Sequence, residues 1–290
     1  MLPCPTGPRL LPLLPLLALA GAVNLTGLCE SEMNAVKDLL QVSCEGKGLS
    51  SVPQGLPPDT GLLLLASNCL ARVSMASFQH LKNLTELDLS NNSLVALQTG
   101  APLPCLQQLA LSHNALERLP ALEGLPGLVR LALGHNALSQ LPEGAFRGLA
   151  TLQELELQGN RLRRLPPGAF QGLAKLKDLD LSDNLLEELP GKLLAGLAGL
   201  EILRLERNQL RALPRGFFPR DLILIYAYLE GNPWLCDCQL EYLRDWIVEN
   251  ELSIYTRQPG ETKEITENDP ESVRCQAPPK EKGGPVMLFQ

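Results

Sequence analysis

Eight asparagines, Asn68, Asn92, Asn114, Asn136, Asn160, Asn184, Asn208 and Asn232, recur at steps of 24, 22, 22, 24, 24, 24 and 24 residues. Each closes the same pattern of leucines. The clearest copy runs Leu84, Leu87, Leu89, Asn92 and Leu94, and the next runs Leu106, Leu109, Leu111, Asn114 and Leu116. The first copy (Leu63, Leu65, Asn68, Leu70) and the last (Leu224, Leu229, Asn232) are looser. Such a repeat is one small unit that cannot bury its apolar face alone, so successive copies must stack. Within each copy the Leu-x-Leu portion predicts a short strand with both leucines inward and the residue between them facing solvent. The asparagine falls at the turn, where its amide can satisfy backbone groups that an irregular buried turn would leave unpaired.

A period in this window, held over eight copies, identifies the chain as a member of the leucine-rich repeat class. The expected fold is an α/β solenoid with a curved parallel sheet on its concave face and disulfide-closed caps at both ends. Composition agrees: only 4% of residues are aromatic while 45% are hydrophobic, which suits a repetitive core. Leu-Pro pairs such as Leu141-Pro142, Leu165-Pro166 and Leu189-Pro190 begin each convex return, and Gly144-Ala145-Phe146 or Gly168-Ala169-Phe170 adds an apolar anchor there. The organisation reads as a signal peptide over 1–22, an N-terminal flank over 23–58, repeats over 59–231, a C-terminal flank over 232–276 and a tail over 277–290.

Arg9, the apolar stretch from Leu10 and the small residues Ala18-Leu19-Ala20 form the secretory signal, with cleavage expected after Ala20 or Ala22. Pro12 and Pro15 interrupt a stretch already too short to span a bilayer. With no later membrane span evident, the chain is expected to be secreted, or to be the plasma-membrane ectodomain of a receptor without its anchor. Cys29 and Cys44 bracket a segment that reads as a disulfide-closed hairpin cap. Cys69 and Cys105 lie on non-adjacent coils, roughly 10 Å apart if coils stack at about 5 Å, too far to bridge. Both are expected to be packed free thiols. At the other end, Asn232-Pro233-Trp234-Leu235-Cys236-Asp237-Cys238 opens a helical pattern at Leu240, Leu243, Trp246 and Ile247, with Cys275 further on. This run is similar to the C-terminal flank of extracellular leucine-rich repeat proteins. The similarity implies that Trp234 plugs the last coil and that Cys236 pairs with Cys275.

Five further stretches narrow the resemblance: Leu49-Ser50-Ser51-Val52-Pro53 with Leu56-Pro57-Pro58-Asp59-Thr60, then Gly216-Phe217-Phe218 with Tyr226-Ala227-Tyr228, and Ile254-Tyr255-Thr256-Arg257-Gln258-Pro259-Gly260. Together with the flank they resemble the platelet glycoprotein Ib family of adhesion receptors. That resemblance implies binding of a von Willebrand factor A domain over the concave face, between the Cys29–Cys44 hairpin and a switch loop over 254–268. It implies contacts from Glu201, Tyr226 and Tyr255, a loop centred on Pro259-Gly260, and companion chains of a receptor complex. Asp178 stands where the family carries a basic contact. The family's partner for Cys238 lies beyond Cys275, where no cysteine follows, so Cys238 is expected to be unpaired. The acidic, tyrosine-rich thrombin-binding segment has no counterpart here, so thrombin binding is not carried over.

The register places Glu86, Asp88, Arg130, Glu154, Glu156, Asp178, Asp180, Arg204, Glu206, Tyr226, Tyr228 and Glu230 on the solvent side of the strands. Acids dominate that face, and the whole chain carries a formal charge of -7. A basic protein surface is the expected complement, and nucleic acid is not. The candidate contacts are Glu154, Glu156, Asp178, Asp180, Glu201, Arg204, Tyr226, Tyr228, Tyr255 and Gly260. No nucleophile motif or phosphate-cradling glycine loop occurs, so no enzymatic activity and no cofactor are expected. His113 and His135 precede neighbouring ladder asparagines but lack further ligands, so no metal is expected. Asn24, Asn83 and Asn91 head glycosylation sequons. An alternative reading is a secreted leucine-rich repeat glycoprotein with a different protein ligand.

Overall fold

The computed structural model describes residues 28–98, 100–258 and 265–289. One ten-stranded sheet runs the length of the solenoid. It begins with an antiparallel hairpin, Glu30–Asn34 against Leu39–Ser43. Thr60–Leu64, Glu86–Asp88, Gln108–Ala110, Arg130–Ala132, Glu154–Glu156, Asp178–Asp180, Ile202–Arg204 and Tyr226–Tyr228 then pair parallel in chain order. Inward leucines such as Leu87, Leu89, Leu179, Leu181, Leu203 and Leu205 are all fully buried. Removing one leucine side chain from water contributes about 1.5–3 kcal/mol, and only stacking of neighbouring coils achieves it here. On the convex side Phe146 and Phe170 stack with ring centroids 6.1 Å apart.

The asparagines line one edge of the stack. Asn184 shows the pattern: its Nδ2 donates to the carbonyls of Leu181 and Ser182 in its own turn and, at 3.0 Å, to Leu157 in the coil before. Its Oδ1 accepts from the Leu162 amide at 3.1 Å, again in the preceding coil. The same arrangement joins every coil from Asn68 to Asn232. Reaching those carbonyls requires a tight turn, and the residue before each ladder asparagine is left-handed. Ser67, Asn91, His113, His135, Asp183 and Arg207 have positive φ near 50–60°, and Gly159 and Gly231 take 66° and 68°. A left-handed conformation costs a non-glycine residue roughly 1–2 kcal/mol. Four bonds to each buried amide, at about 1 kcal/mol apiece, offset it.

Two coils are shorter than the rest, those ending at Asn114 and Asn136. They lack the convex phenylalanine and pack tightly instead: a Cβ added to Gly127 would lie 2.6 Å from the Pro104 carbonyl oxygen. One cysteine expectation is corrected here. Cys105 is an exposed free thiol and is not packed, because it stands directly before Leu106, the first leucine of its copy, where Asn83, Lys175 and Gly199 of other coils are exposed as well. Cys69 is not a free thiol either; it is disulfide-bonded.

The two ends are closed differently. Cys29 and Cys44 are joined across the N-terminal hairpin with Cα atoms 4.4 Å apart. At the C-terminus Trp234 is fully buried and its indole N–H donates to the Leu229 carbonyl at 3.1 Å. Phe218 stacks on Trp246 of the helix Glu241–Glu249, with centroids 3.7 Å apart. Cys236 and Cys275 are joined, tying the strands Trp234–Leu235 and Cys275–Ala277 together, while Cys238 is exposed and free. The segment expected as a tail folds back on this cap: Val286 is fully buried and its amide donates to the Val273 carbonyl at 2.7 Å. An antiparallel hairpin, Tyr255–Gln258 with Ile265–Asn268, completes the flank. Among the described residues no helix is long and apolar enough to cross a membrane. The signal-peptide expectation over 1–22 lies outside them.

Candidate ligand-binding face

Strand alternation puts one residue of every Leu-x-Leu on the concave face, and parallel pairing at matched register sets these residues in columns. At the N-terminal end Lys37, in the tip of the first hairpin, reaches down to pair with Glu86. A shallow depression of about 250 Å³ follows, floored by Ala110 and Ala132 and bordered by Glu86, Asp88, Gln108 and Arg130. Arg130 then spans Glu154 at 3.2 Å and Glu156 at 2.5 Å. Arg204 pairs with Asp178, and Lys177 with Glu201 at 3.0 Å.

Of the acids that the sequence places on this face, Asp88 makes no ion pair among the described residues; its carboxylate accepts from the Ser90 amide at 2.8 Å. The acidic stripe is therefore largely compensated within the chain. Surface pairs of this kind contribute little to stability, roughly 0–1 kcal/mol each. Their effect is to hold these side chains in fixed geometry.

Three expected solvent-facing residues are not exposed. Asp180 is buried, Glu206 is fully buried and Tyr228 is 4% exposed. They do point away from the leucine core, as the alternation requires, but the C-terminal hairpin lies over them. Tyr226 stays half-buried and meets Tyr255 edge-on with centroids 4.8 Å apart, while Tyr228 lies 6.5 Å from the same ring. Thr256 bonds to Glu230, and Arg257 to Glu206. Glu201, Arg204, Tyr226, Tyr228 and Tyr255 thus share one end of the face with Asp178 and Asp180, whereas Glu154 and Glu156 lie towards its middle. Gly260 and Pro259 lie outside the described residues.

Burial dominates the electrostatics of this end. It pushes the Glu206 carboxyl up to about 7, against the opposing pull of Arg257 and with reinforcement from Asp180. Asp178 is raised by burial too, partly offset by Arg204, and Tyr228 is raised for the same first cause. On the rim His113 and His135 stack with centroids 4.3 Å apart, and burial followed by the neighbouring His135 lowers the pKa of His113. His135 in turn lies over Gly159, where a Cβ would meet its Nδ1 at 2.5 Å. Among the described residues no group of three or more His, Cys, Asp or Glu is arranged to hold a metal.

Local reading missed Arg257, Ser182 and Thr256 as parts of this face. Arg257 sat in a polar loop with no periodicity to say where it pointed. Of the sequons, Asn83 and Asn91 are exposed, Asn91 in a left-handed turn with φ of 51°, and Asn24 lies outside the described residues.

The comparisons with known proteins agree with this architecture. The chain is 42% identical over 245 residues to the platelet glycoprotein Ib alpha chain of Canis lupus familiaris, covering 84% of this chain and 36% of that protein. It is 40% identical over 100 residues to leucine-rich repeat-containing protein 3 of Bos taurus, covering 34% of this chain and 37% of the relative. The chain therefore spans only about a third of the length of these relatives. Among solved structures, human 5T4 (trophoblast glycoprotein) superposes with a TM-score of 0.71 at 29% identity, covering 91% of this chain and 96% of that one. The family model described as leucine rich repeat matches residues 62–116, 120–162 and 150–210, half of the sequence, and the chain belongs to that family.

Proposed function

We propose that the chain is the ligand-binding part of an extracellular adhesion receptor, that its ligand is a von Willebrand factor A domain, and that it acts in platelet adhesion and blood coagulation. The observation that carries this reading is a concave face flanked by two hairpins, one closed by Cys29–Cys44 and the other laid over Tyr228 and Glu206. Similarity at 42–44% identity to platelet glycoprotein Ib alpha chains, over 84% of this sequence, supports the choice of ligand class. The Cys29–Cys44 and Cys236–Cys275 disulfides fit a secretory route. In this reading the contacts centre on Glu154, Glu156, Asp178, Glu201, Arg204, Tyr226 and Tyr255, with Gly260 as a further contact. Companion chains of a receptor complex are proposed on the resemblance alone.

Such a face holds a ligand through a few large side chains surrounded by fixed polar groups. Tyr226 and Tyr255 supply the aromatic surface, and the paired acids and arginines supply orientation. Surface plasmon resonance with purified von Willebrand factor A domain, with and without a shear-mimicking modulator, tests the assignment. Saturable binding that weakens with salt is expected. Absence of binding under both conditions rejects the assignment and leaves a leucine-rich repeat protein with a different ligand.

A further inference from the structure

The C-terminal hairpin sends one cation into the concave face. Arg257 Nε donates to Glu206 Oε1 at 2.9 Å, and Nη2 donates to the same oxygen. Nη2 also lies 3.4 Å from Ser182 Oγ and 3.8 Å from Asp180 Oδ2. The guanidinium carbon sits 5.5 Å from the centroid of the Tyr228 ring. Two carboxylates, a hydroxyl and an aromatic face therefore converge on a single guanidinium. These groups stand on neighbouring strands of the sheet or directly after them, so the pocket belongs to the rigid solenoid and its occupant to a separate hairpin.

One acceptor in the pocket is unused. Glu206 is fully buried, yet its Oε2 has no hydrogen-bond partner. A buried carboxyl oxygen without a donor is unfavourable, and a site shaped only to hold Arg257 would have no reason to keep it. A planar fork entering at a different angle could use both oxygens, whereas an ammonium presents a compact point charge with no planar face.

We propose that Asp180, Ser182, Glu206 and Tyr228 form a guanidinium-binding pocket that Arg257 fills as an internal stand-in, and that it admits an arginine of a protein ligand when the hairpin lifts. This rests on the reading above that a protein is bound on the concave face. Arg257 is tethered close by and competes at high effective concentration. Ligand entry and hairpin lifting are then two sides of one equilibrium, and anything that favours one favours the other.

The test uses the intact chain, with N-acetyl-arginine amide as probe and N-acetyl-citrulline amide as its uncharged counterpart, followed by NMR at the Ser182 and Glu206 amides. Arg257→Ala is expected to bind the arginine probe saturably, about tenfold more tightly than the unaltered chain, and not to bind citrulline. Adding Glu206→Gln should abolish that binding. Equal affinity with and without Arg257, or shifts that map elsewhere, overturns the proposal. Should Arg257→Ala disturb the cap, Glu206→Gln alone serves instead. It should raise amide exchange across Tyr255–Gln258 about tenfold while leaving the helix Glu241–Glu249 protected, and unchanged exchange in the hairpin counts against the pocket. Arginine binding to Arg257→Ala without any binding of the A domain removes the ligand assignment and leaves the pocket intact. The reverse pattern removes the pocket alone.

Discussion

The two ends of the solenoid solve the same problem with different reach. At the N-terminus a hairpin of five-residue strands extends the sheet by backbone pairing, is closed by a disulfide within a short loop, and touches the concave face beyond its neighbouring coil through Lys37. At the C-terminus a buried tryptophan plugs the core, a helix packs behind it, and a hairpin returns across the face to meet acids on the strands Asp178–Asp180 and Ile202–Arg204 or directly after them. The first end seals; the second seals and also covers part of the concave face. A cap that reaches over the face can influence what binds there, whereas one that merely extends the sheet has less leverage.

This contrast is open to measurement. The largest effect is expected at the plug: Trp234→Ala removes a fully buried ring and its bond to Leu229, and should lower stability by about 3–5 kcal/mol. Amide exchange should rise throughout the C-terminal flank, and a loss confined to residue 234 would mean the cap is not one cooperative unit. Next comes Cys29→Ser with Cys44→Ser, which opens a link spanning 15 residues at a cost of about 3 kcal/mol. Here exchange should increase in the hairpin and first coil only, and spread into the later coils would erase the distinction between the ends.

A third effect is pH-dependent and belongs to the C-terminal end alone. Because the carboxyl of Glu206 is raised from 4.5 to about 7 on folding, the folded chain holds more protons than the unfolded chain between those values. Its stabilising contribution is complete below pH 4.5 and disappears as pH climbs through 7. Asp180, Arg257 and Arg207 surround the group, with Arg204 and Glu230 next to them. Asp178, also raised, acts in the same direction, and His113, lowered, acts in the opposite one as pH falls. Glu206→Gln should remove on the order of 2 kcal/mol of the stability change between pH 5 and pH 8, measured by denaturant unfolding. Equal pH profiles for the two chains would reject that assignment. The smallest effect is at the other end: Lys37→Ala should cost less than about 1 kcal/mol, since its pair with Glu86 is partly exposed. A larger loss would show that the first hairpin also holds onto the face.

What could be read from the sequence divides along the same line. The rungs and the ladder follow from leucine and asparagine spacing, because each coil's structure depends on its own residues and on neighbours of the same kind. Even the left-handed position has a partial signal, in Gly159 and Gly231 standing directly before ladder asparagines. Strand alternation correctly turned Asp180, Glu206 and Tyr228 away from the core. It could not tell that Arg257, 51 residues after Glu206, would come back to cover them. Non-repeating chain returning over a repeating scaffold has no local period to betray it. The exposure of Cys105 follows from its place directly before the first leucine of its copy, a position exposed also at Asn83, Lys175 and Gly199.

The ladder has a direction. Among the described residues, every bond that an asparagine from Asn92 to Asn232 makes outside its own turn goes to the coil that precedes it in the chain, and Asn68 likewise donates to Cys44 and accepts from Leu49. A polypeptide leaving the ribosome N-terminus first therefore presents each new asparagine with partners already synthesised. The molecule is suited to being laid down course upon course, like masonry. Losing its last course spares the side-chain amides of the earlier asparagines and frees only backbone donors such as Leu210, whereas losing its first takes the Cys44 and Leu49 partners from Asn68.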